Sequence, residues 1–241
     1  MIYWFNFLIV WLVRLESKVL KTSLLRSKLF LSKRILEKNF KQNTPFSFIQ
    51  VGANDGISFD FLYDFVITRN STGIVIEPVK DYFKELENNY SQFPGILTIN
   101  KAVHPEKKQI ELYKIKQESL SNYPDWVKGI ASLDIHHHQK LQINSQDIIL
   151  EKVAADNLMD IIRANYNQKI DYLQIDTEGF DYEVLKMLDF GISKPAIIKY
   201  EFVNLKPEDQ LKTTNLLQSQ GYYLFSELGD TIALDLNKIK L

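Results

Sequence analysis

A short loop bounded by glycines carries the first residues whose types and spacing could do chemistry. The stretch Phe48–Phe59, FIQVGANDGISF, is an apolar run that stops at Gly52 and resumes after Gly56. An Asp-Gly pair is a strong hairpin signal, so a plain turn is one interpretation. The other interpretation is a loop that lets a ligand approach its backbone, formed by Gly52, Ala53, Asn54, Asp55 and Gly56.

The spacing of the glycines and the acid between them limit the kind of ligand. Dinucleotide sites use G-x-G-x-x-G, and phosphate-binding loops end in Gly-Lys-Ser or Gly-Lys-Thr. This loop has neither pattern. Asp55 would repel a pyrophosphate, whereas it suits a ligand with an ammonium group. A nicotinamide-dependent oxidoreductase is therefore disfavoured.

A second acid follows the next apolar run, TGIVIE. Glu77 lies about 20 residues beyond the loop, where dinucleotide sites place the acid that binds ribose. Its two oxygens can accept hydrogen bonds from both ribose hydroxyls. A ligand with a ribose and a cation but no pyrophosphate is S-adenosylmethionine, which the two features together predict. The alternative is that the glycines only serve a tight turn from a strand to a helix.

These residues follow predicted strands of one α/β domain. From Phe46 onward, short apolar strands alternate with amphipathic helices, which predicts a mostly parallel sheet with helices on both faces. A closing hairpin at Gly229 places one antiparallel strand in the sheet. Ligands bind beyond the carboxyl ends of parallel strands. Asp176 and Glu178 follow the fourth strand and Glu201 ends the fifth, so we expect them on the same rim as the loop.

Five segments carry, in this order, a resemblance to a known family: FIQVGANDG, VIEP, NKAV, YLQIDTEGFDYEVL and IIKYE. They are similar to the motifs of FkbM-type S-adenosylmethionine-dependent methyltransferases, from Phe46 to Phe225. The resemblance implies a class I methyltransferase fold, a Rossmann-like three-layer α/β sandwich with a seven-stranded, mostly parallel sheet. It also implies transfer of a methyl group to a hydroxyl oxygen of a saccharide, glycolipid or related secondary metabolite.

The resemblance further implies which residues hold the cofactor, S-adenosylmethionine. The loop would hold it, with Asp55 near its amino-acid end, while Glu77 would bind the ribose. Ala102, in NKAV, would lie near the adenine, and Ser132 would touch cofactor or substrate. Asp176 would lie close to the transferred methyl. The expected cofactor-binding residues are therefore Gly52, Ala53, Asn54, Asp55, Gly56, Glu77, Ala102, Ser132 and Asp176.

Three carboxylates are the catalytic candidates. A hydroxyl is a poor nucleophile while protonated, so a base near the methyl group would help. Glu178 is the first candidate for that base or for orienting the acceptor, and an acid favoured at a helix N-terminus is the alternative. Asp176 and Glu201 complete the set. Asp176 with Glu178 could also hold a divalent ion such as Mg²⁺, whereas His136–His138 is interpreted as an exposed polar stretch.

The chain divides into two parts by composition. Residues 1–42 begin with the apolar MIYWFNFLIVWLV, lack Gly and Pro, and become basic from Arg14 onward, which predicts a helical segment. Such a segment fits the surface of an anionic membrane, or packing on the domain or on a second subunit. Residues 43–241 form the methyltransferase domain, with an insertion or lid at about 117–146. Within it, GILTINKAV predicts one strand and KQIELYKI an additional, half-exposed strand.

Composition limits the remaining classes of function. The net charge of −1 gives no basis for nucleic-acid binding. The absence of cysteine excludes disulfides and thiolate metal sites, and it fits a reducing compartment. We expect a cytoplasmic protein, peripheral at a membrane, that acts on a small molecule or glycan and can form a homo-oligomer. A membrane-associated scaffold that keeps the fold without turnover is the alternative.

Overall fold

The structure is a computed structural model that describes residues 2–21, 23–59, 61–127, 129–166 and 168–241. Met1, Thr22, Asp60 and Lys128, which fall within predicted segments, lie outside the described residues. The helices are α1 Ile2–Leu15, α2 Leu24–Leu29, α3 Ser32–Asn39, α4 Leu62–Ile67, α5 Lys80–Tyr90, α6 Ile135–Lys140, α7 Leu158–Asn165, α8 Asp181–Met187 and α9 Pro207–Ser219. The strands are β1 Pro45–Val51, β2 Asn70–Ile76, β3 Ile96–Ile99, β4 Ala102–Val103, β5 Gln109–Ile115, β6 Ala131–Ser132, β7 Ile148–Asp156, β8 Tyr172–Ile175, β9 Ile197–Glu201, β10 Tyr223–Glu227 and β11 Asp230–Leu234.

The larger sheet has seven strands in the order β10-β11-β9-β8-β1-β2-β3. The strands from β9 to β3 pair in parallel, whereas β11 pairs antiparallel with both β9 and β10. The predicted class I methyltransferase fold, mostly parallel with one antiparallel strand, is confirmed. Every residue of β1 after Pro45 is buried, because helices cover both faces of a parallel sheet.

Alternate side chains of β1 enter two different cores. Phe46 and Phe48 pack in one core with residues of α3, α4 and α5, while Ile49 and Val51 pack in the other with residues of α7 and α8. A strand presents successive side chains to opposite faces, so one short apolar segment anchors both helical layers. This burial fixes the carboxyl end of β1, from which the glycine loop emerges.

A smaller sheet, with the order β4-β7-β5-β6, packs beside the rim of the larger one. The predicted half-exposed strand is confirmed as β5, which pairs antiparallel with β7. The prediction of a single strand over GILTINKAV is wrong, because its two ends belong to different sheets. The chain turns at Asn100, whose side-chain amide donates to the carbonyls of Glu77 and Pro78. The assignment of residues 117–146 as an insertion or lid stays a prediction.

The N-terminal segment is helical but interrupted. After α1, a π-helical turn at Glu16–Leu20 precedes α2. The buried carboxylate of Glu16 accepts from the backbone N–H groups of Leu24 and Leu25, at 2.9 Å each, and so fixes the change of direction. Within the described ranges, no helix is long and apolar enough to cross a membrane.

Candidate active site

A cavity of about 300 Å³ opens at the rim where β1, β2 and β8 end. Parallel strands bring the loops after them to one edge, so residues distant in sequence meet there. The predicted site residues that line the cavity are Gly52, Ala53, Asn54, Glu77, Ala102, Asp176 and Glu178. Four others lie beside the cavity without lining it, namely Asp55, Gly56, Ser132 and Glu201.

Gly52 lets two backbone segments meet at the cavity floor. Its φ is +76°, and a Cβ placed on it would lie 1.8 Å from the carbonyl oxygen of Asp176. The N–H groups of Gly52 and Ala53 both donate to the carbonyl of Ile76, at 3.0 Å. The loop is thereby tied to β2 and pressed against the end of β8. Gly56 serves a different contact, since a Cβ there would meet the side chains of α5 at 2.7 Å.

Asp55 holds the loop in shape. Its Oδ1 accepts from the N–H groups of Ile57 and Ser58, at 2.9 and 2.7 Å, and its Oδ2 accepts from the Ser58 hydroxyl at 2.6 Å. Such local bonds from Asp to the following backbone stabilise a turn. The carboxylate is thus engaged within the loop, and its contact with the amino-acid end of the donor stays a prediction.

Glu77 is a buried carboxylate in the cavity wall. One oxygen accepts from the Asn54 N–H and the other from the Val79 N–H, both at 2.8 Å. Burial raises its pKa to about 7, and the two backbone hydrogen bonds oppose that rise. Glu77 therefore joins the glycine loop to the end of β2 and presents a carboxyl group that changes charge near neutral pH.

A cluster of acids lies at the cavity, where Asp176 and Glu178 belong to the lining and Glu201 lies beside it. The pKa of Asp176 is raised well above its usual range, mainly by burial and to a smaller extent by repulsion from Glu201 and Glu178. Burial also raises the pKa of Glu201 to about 8, and repulsion from Glu178 and Asp181 adds to this effect. Among the described residues, Oε2 of Glu201 is buried without a hydrogen-bond partner. A cation placed near these groups would relieve their repulsion.

Glu178 sits on a backbone with a φ of +53°, in the turn after β8. Its Oε2 accepts from Nδ2 of Asn204 at 2.8 Å and lies 2.9 Å from Nε2 of His137, at ion-pair distance without hydrogen-bond alignment. Nδ2 of Asn204 also donates to Oε1 of Glu201 at 2.8 Å. Asn204 therefore links two of the three predicted catalytic acids. Ser132 supports the same turn, because its hydroxyl donates to the Glu178 carbonyl at 3.1 Å.

His137 lies against the predicted site residue Glu178, a contact that the sequence did not indicate. The prediction of an exposed histidine stretch is wrong for His137 and His138, which are buried on α6, and holds only for His136. Consecutive histidines give no pattern that selects one of them. Only the fold brings α6 against the turn after β8.

Four further residues that line the cavity were not among the predicted site residues. Lys199 on β9 pairs with Asp230 on β11 at 3.1 Å, which places a donor and an acceptor side by side in the lining. Phe59 and Trp126 line the cavity although 62% and 55% of their surfaces are exposed. Two aromatic rings thus remain available to a ligand.

The described residues contain no group of three or more His, Cys, Asp or Glu suited to hold a metal ion. Binding of Mg²⁺ by Asp176 and Glu178 stays a prediction.

Comparison with known proteins identifies the family. The model of the methyltransferase FkbM domain family matches residues 50–227, more than half of the chain. This chain belongs to the FkbM methyltransferase family. The FkbM domain therefore includes the glycine loop, Glu77, the acids after β8 and β9, and the smaller sheet. The family and the fold are those of S-adenosylmethionine-dependent methyltransferases.

Several solved structures are similar to this chain at low sequence identity. The FkbM methyltransferase of Methylobacillus flagellatus KT matches 78% of this chain with a TM-score of 0.48 and 16% identity, and this chain spans 44% of that protein. Precorrin-6y C5,15-methyltransferase of Geobacter metallireducens gives 0.42 and 11%, covering 86% and 92% of the two chains. M. capricolum TrmK in complex with S-adenosyl-homocysteine gives 0.40 and 11%, covering 85% and 67%. No curated protein matches the chain significantly.

The acids of the FkbM domain predict how its stability depends on pH. Glu201, with its pKa raised to about 8, keeps a proton in the folded state that the unfolded chain has released above its ordinary pKa of 4.5. The unfolded state is therefore favoured increasingly as pH rises from 4.5 to 8. We expect the Glu201→Gln variant to lose less stability than wild type between pH 5 and 8, measured by urea unfolding.

The comparison between the two proteins isolates Glu201 together with its effect on Asp176, whose pKa it raises by repulsion. Burial lowers the pKa of His138 below 6.5, so His138 contributes the opposite slope, but equally in both proteins. Parallel stability curves for wild type and Glu201→Gln would contradict the prediction.

Proposed function

We propose that this FkbM domain binds S-adenosylmethionine in the cavity and transfers its methyl group to a hydroxyl oxygen of a saccharide, free or lipid-linked. The observation that carries the proposal is the convergence on one cavity of the glycine loop, Glu77 and the buried acids around Asp176. Carboxylates accept hydrogen bonds from ribose hydroxyls and attract a sulfonium or ammonium cation.

The cavity residues fit this donor. Each oxygen of Glu77 already accepts one backbone N–H, and each has a further lone pair for a ribose hydroxyl. Ala102 is small enough to leave room for a planar base in the wall beside it. The repelling pair Asp176 and Glu201 would be stabilised in its charged form by a cation. When bound, S-adenosylmethionine supplies an electrophilic methyl group on a sulfonium sulfur.

The outer part of the cavity supports a saccharide acceptor. The rings of Trp126 and Phe59 offer flat faces to an apolar sugar face, a use suited to amphipathic ligands. Phe59 has a φ of +73°, a backbone conformation that costs about 1–3 kcal/mol in a residue other than glycine. The pair Lys199 and Asp230 offers a donor and an acceptor for sugar hydroxyls.

Glu178 is the proposed base. Its Oε2 faces Asn204 and His137, while its Oε1 has no partner among the described residues. An acceptor hydroxyl could therefore donate to Oε1 and pass its proton to the carboxylate as the oxygen attacks the methyl carbon. The nearby His137 and Asn204 hold the carboxylate in place, and positioning supplies much of the acceleration in such displacements.

Calorimetry with S-adenosylhomocysteine tests the donor site. We expect wild type to bind and Glu77→Gln to bind roughly 10- to 100-fold more weakly, since the variant loses charge-assisted hydrogen bonds. Glu85→Gln, an exposed acid on the neighbouring helix α5, is the matched control and should bind like wild type. Equal affinities for all three proteins would count against this location of the donor.

Transfer of isotopically labelled methyl tests the acceptor. The full chain is incubated with methyl-labelled S-adenosylmethionine and fractionated cell extract, with and without Mg²⁺ or a chelator. We expect label in carbohydrate, resistant to mild alkali and released by acid hydrolysis as an O-methylated monosaccharide. Label confined to protein or nucleic acid would overturn the saccharide acceptor. Cofactor binding without any transfer would favour the non-catalytic scaffold.

A further inference from the structure

The N-terminal helix α1 has two different faces, and only one of them is covered by the domain. Val10 and Val13 are buried in the main core, and Asn6 is 1% exposed. Asn6 donates to the carbonyl of Leu236 at 2.9 Å and accepts from the N–H of Leu241 at 3.2 Å. The helix is therefore docked lengthwise, with a fixed face turned away from the protein.

The outward face is apolar throughout α1. It carries Trp4, Leu8, Trp11 and Leu15, spaced to lie on one side of a helix, with exposed fractions of 76%, 51%, 55% and 40%. Phe7 lies beside them and is 55% exposed. Single exposed apolar residues are common, but a contiguous apolar helix face marks an interaction surface.

The surroundings of this face are basic. Arg14, Lys18, Lys21, Arg26 and Lys28 are all exposed on α1, the following turn and α2. The acid among them, Glu16, is buried, and its oxygens are engaged by backbone N–H groups. The exposed charge next to the apolar face is therefore positive.

We infer that α1 and α2 form a peripheral binding surface for a bilayer of anionic lipids. Indole and aliphatic side chains enter the boundary between headgroups and acyl chains, while neighbouring cations bind lipid phosphates and carboxylates. A second copy fits this surface less well, because a two-fold contact would join the surface to itself and bring two sets of exposed cations into one interface. An anionic lipid surface neutralises the same charges.

The N-terminal end of α1 and the cavity lie at opposite ends of the strands. Asn6 contacts the segment after β11, whose last residue Leu234 pairs with Ile197, the first residue of β9. The cavity opens where the parallel strands end. The chain after α2 returns toward the cavity end, because the Ser32 N–H donates to Glu227 of β10, which pairs with the cavity residue Asp230.

Vesicle flotation of the full chain tests this inference, and it needs neither donor nor acceptor, so its result is independent of the proposed function. We expect the protein to float with vesicles of phosphatidylcholine and phosphatidylserine, and at least about tenfold less with phosphatidylcholine alone. On the mixed vesicles, flotation of the variant Trp4→Ser/Leu8→Ser/Trp11→Ser should fall at least about tenfold, which is roughly what wild type loses on phosphatidylcholine alone. The control Ile192→Ser/Val203→Ser/Leu211→Ser removes residues that are 65%, 61% and 62% exposed elsewhere and should float like wild type.

A charge variant and two further readouts complete the test. Lys18→Gln/Lys21→Gln/Arg26→Gln/Lys28→Gln should weaken flotation on anionic vesicles only. In a Trp126→Phe background, Trp4 and Trp11 are the remaining tryptophans, and their emission should shift to the blue on binding. Thermal unfolding confirms that each variant folds. Equal flotation of wild type and the serine variant overturns the inference. So does a wild-type dimer that ignores vesicles and that the serine variant converts to monomer, since a second copy would then cover this face.

Discussion

The Gly52→Ala variant is expected to fold poorly and to lose cofactor binding. Alanine at a φ of +76° costs about 1–2 kcal/mol by itself. In addition, the new Cβ would lie 1.8 Å from the Asp176 carbonyl oxygen, so the loop or the end of β8 must shift. We expect a loss of about 3–5 kcal/mol in the free energy of unfolding, measured by urea denaturation. Because the loop and Asp176 both line the cavity, affinity for S-adenosylhomocysteine should fall at least about 100-fold.

The Gly221→Ala variant separates the cost of a positive φ from the cost of the close approach to the Asp176 carbonyl. Gly221 has a φ of +81°, but a Cβ there would meet nothing closer than Nζ of Lys194 at 4.0 Å. This control therefore reports the backbone cost alone, about 1–2 kcal/mol, and should leave affinity unchanged. If both variants lost the same stability, close approach at Gly52 would not be the cause. If Gly52→Ala kept wild-type affinity, the loop would not form the donor site.

The Glu178→Gln variant is expected to keep the cofactor and lose methyl transfer. Glutamine preserves the shape of the side chain and can still accept from Asn204, but it cannot take a proton from the acceptor. General bases contribute about 10²- to 10⁴-fold, so we expect a decrease in this range in the rate of labelled methyl transfer. Affinity for S-adenosylhomocysteine should stay within about threefold, because a variant that removes only a transition-state interaction spares ground-state binding.

The matched control is Glu183→Gln. Glu183 lies on α8, five residues from Glu178 in sequence, and pairs with Lys186 at the surface. It should transfer methyl groups like wild type. A Glu178→Gln protein that retains full transfer would show that another group removes the proton, and Asp176 would become the first alternative because it lines the same cavity.

Local patterns allowed much of the architecture to be predicted. Buried parallel strands read as short apolar runs, and the carboxyl ends of such strands meet at one rim whatever lies between them. The positions of Gly52, Glu77 and Asp176 at one cavity follow from that rule. The strand GILTINKAV was predicted wrongly because its interruption depends on Asn100 bonding to the segment after β2, which is a tertiary contact.

The contacts made by individual residues were harder to predict from the sequence. The glycine spacing predicts close approach of a ligand, and the structure adds that Gly52 approaches the backbone of Asp176 after β8 and that Gly56 approaches α5. Asp55 is predicted to lie near the amino-acid end of the donor, and the structure adds that its carboxylate accepts from three groups of its own loop. A motif fixes residue types, whereas the partner of each polar atom depends on which segments surround it.

The sequence by itself determined the family, most of the strands and helices in their order, and the loops that end at the rim, because these depend on motifs, on periodicity and on residues adjacent in the chain. Only the tertiary structure decided that His137 reaches Glu178 and that Lys199 pairs with Asp230. It also decided that α1 buries one of its faces against the domain and exposes the other. These contacts join segments far apart in sequence, and no local spacing encodes them. Burial and mutual repulsion likewise raise the pKa values of Asp176 and Glu201 only once the fold has brought the acids together.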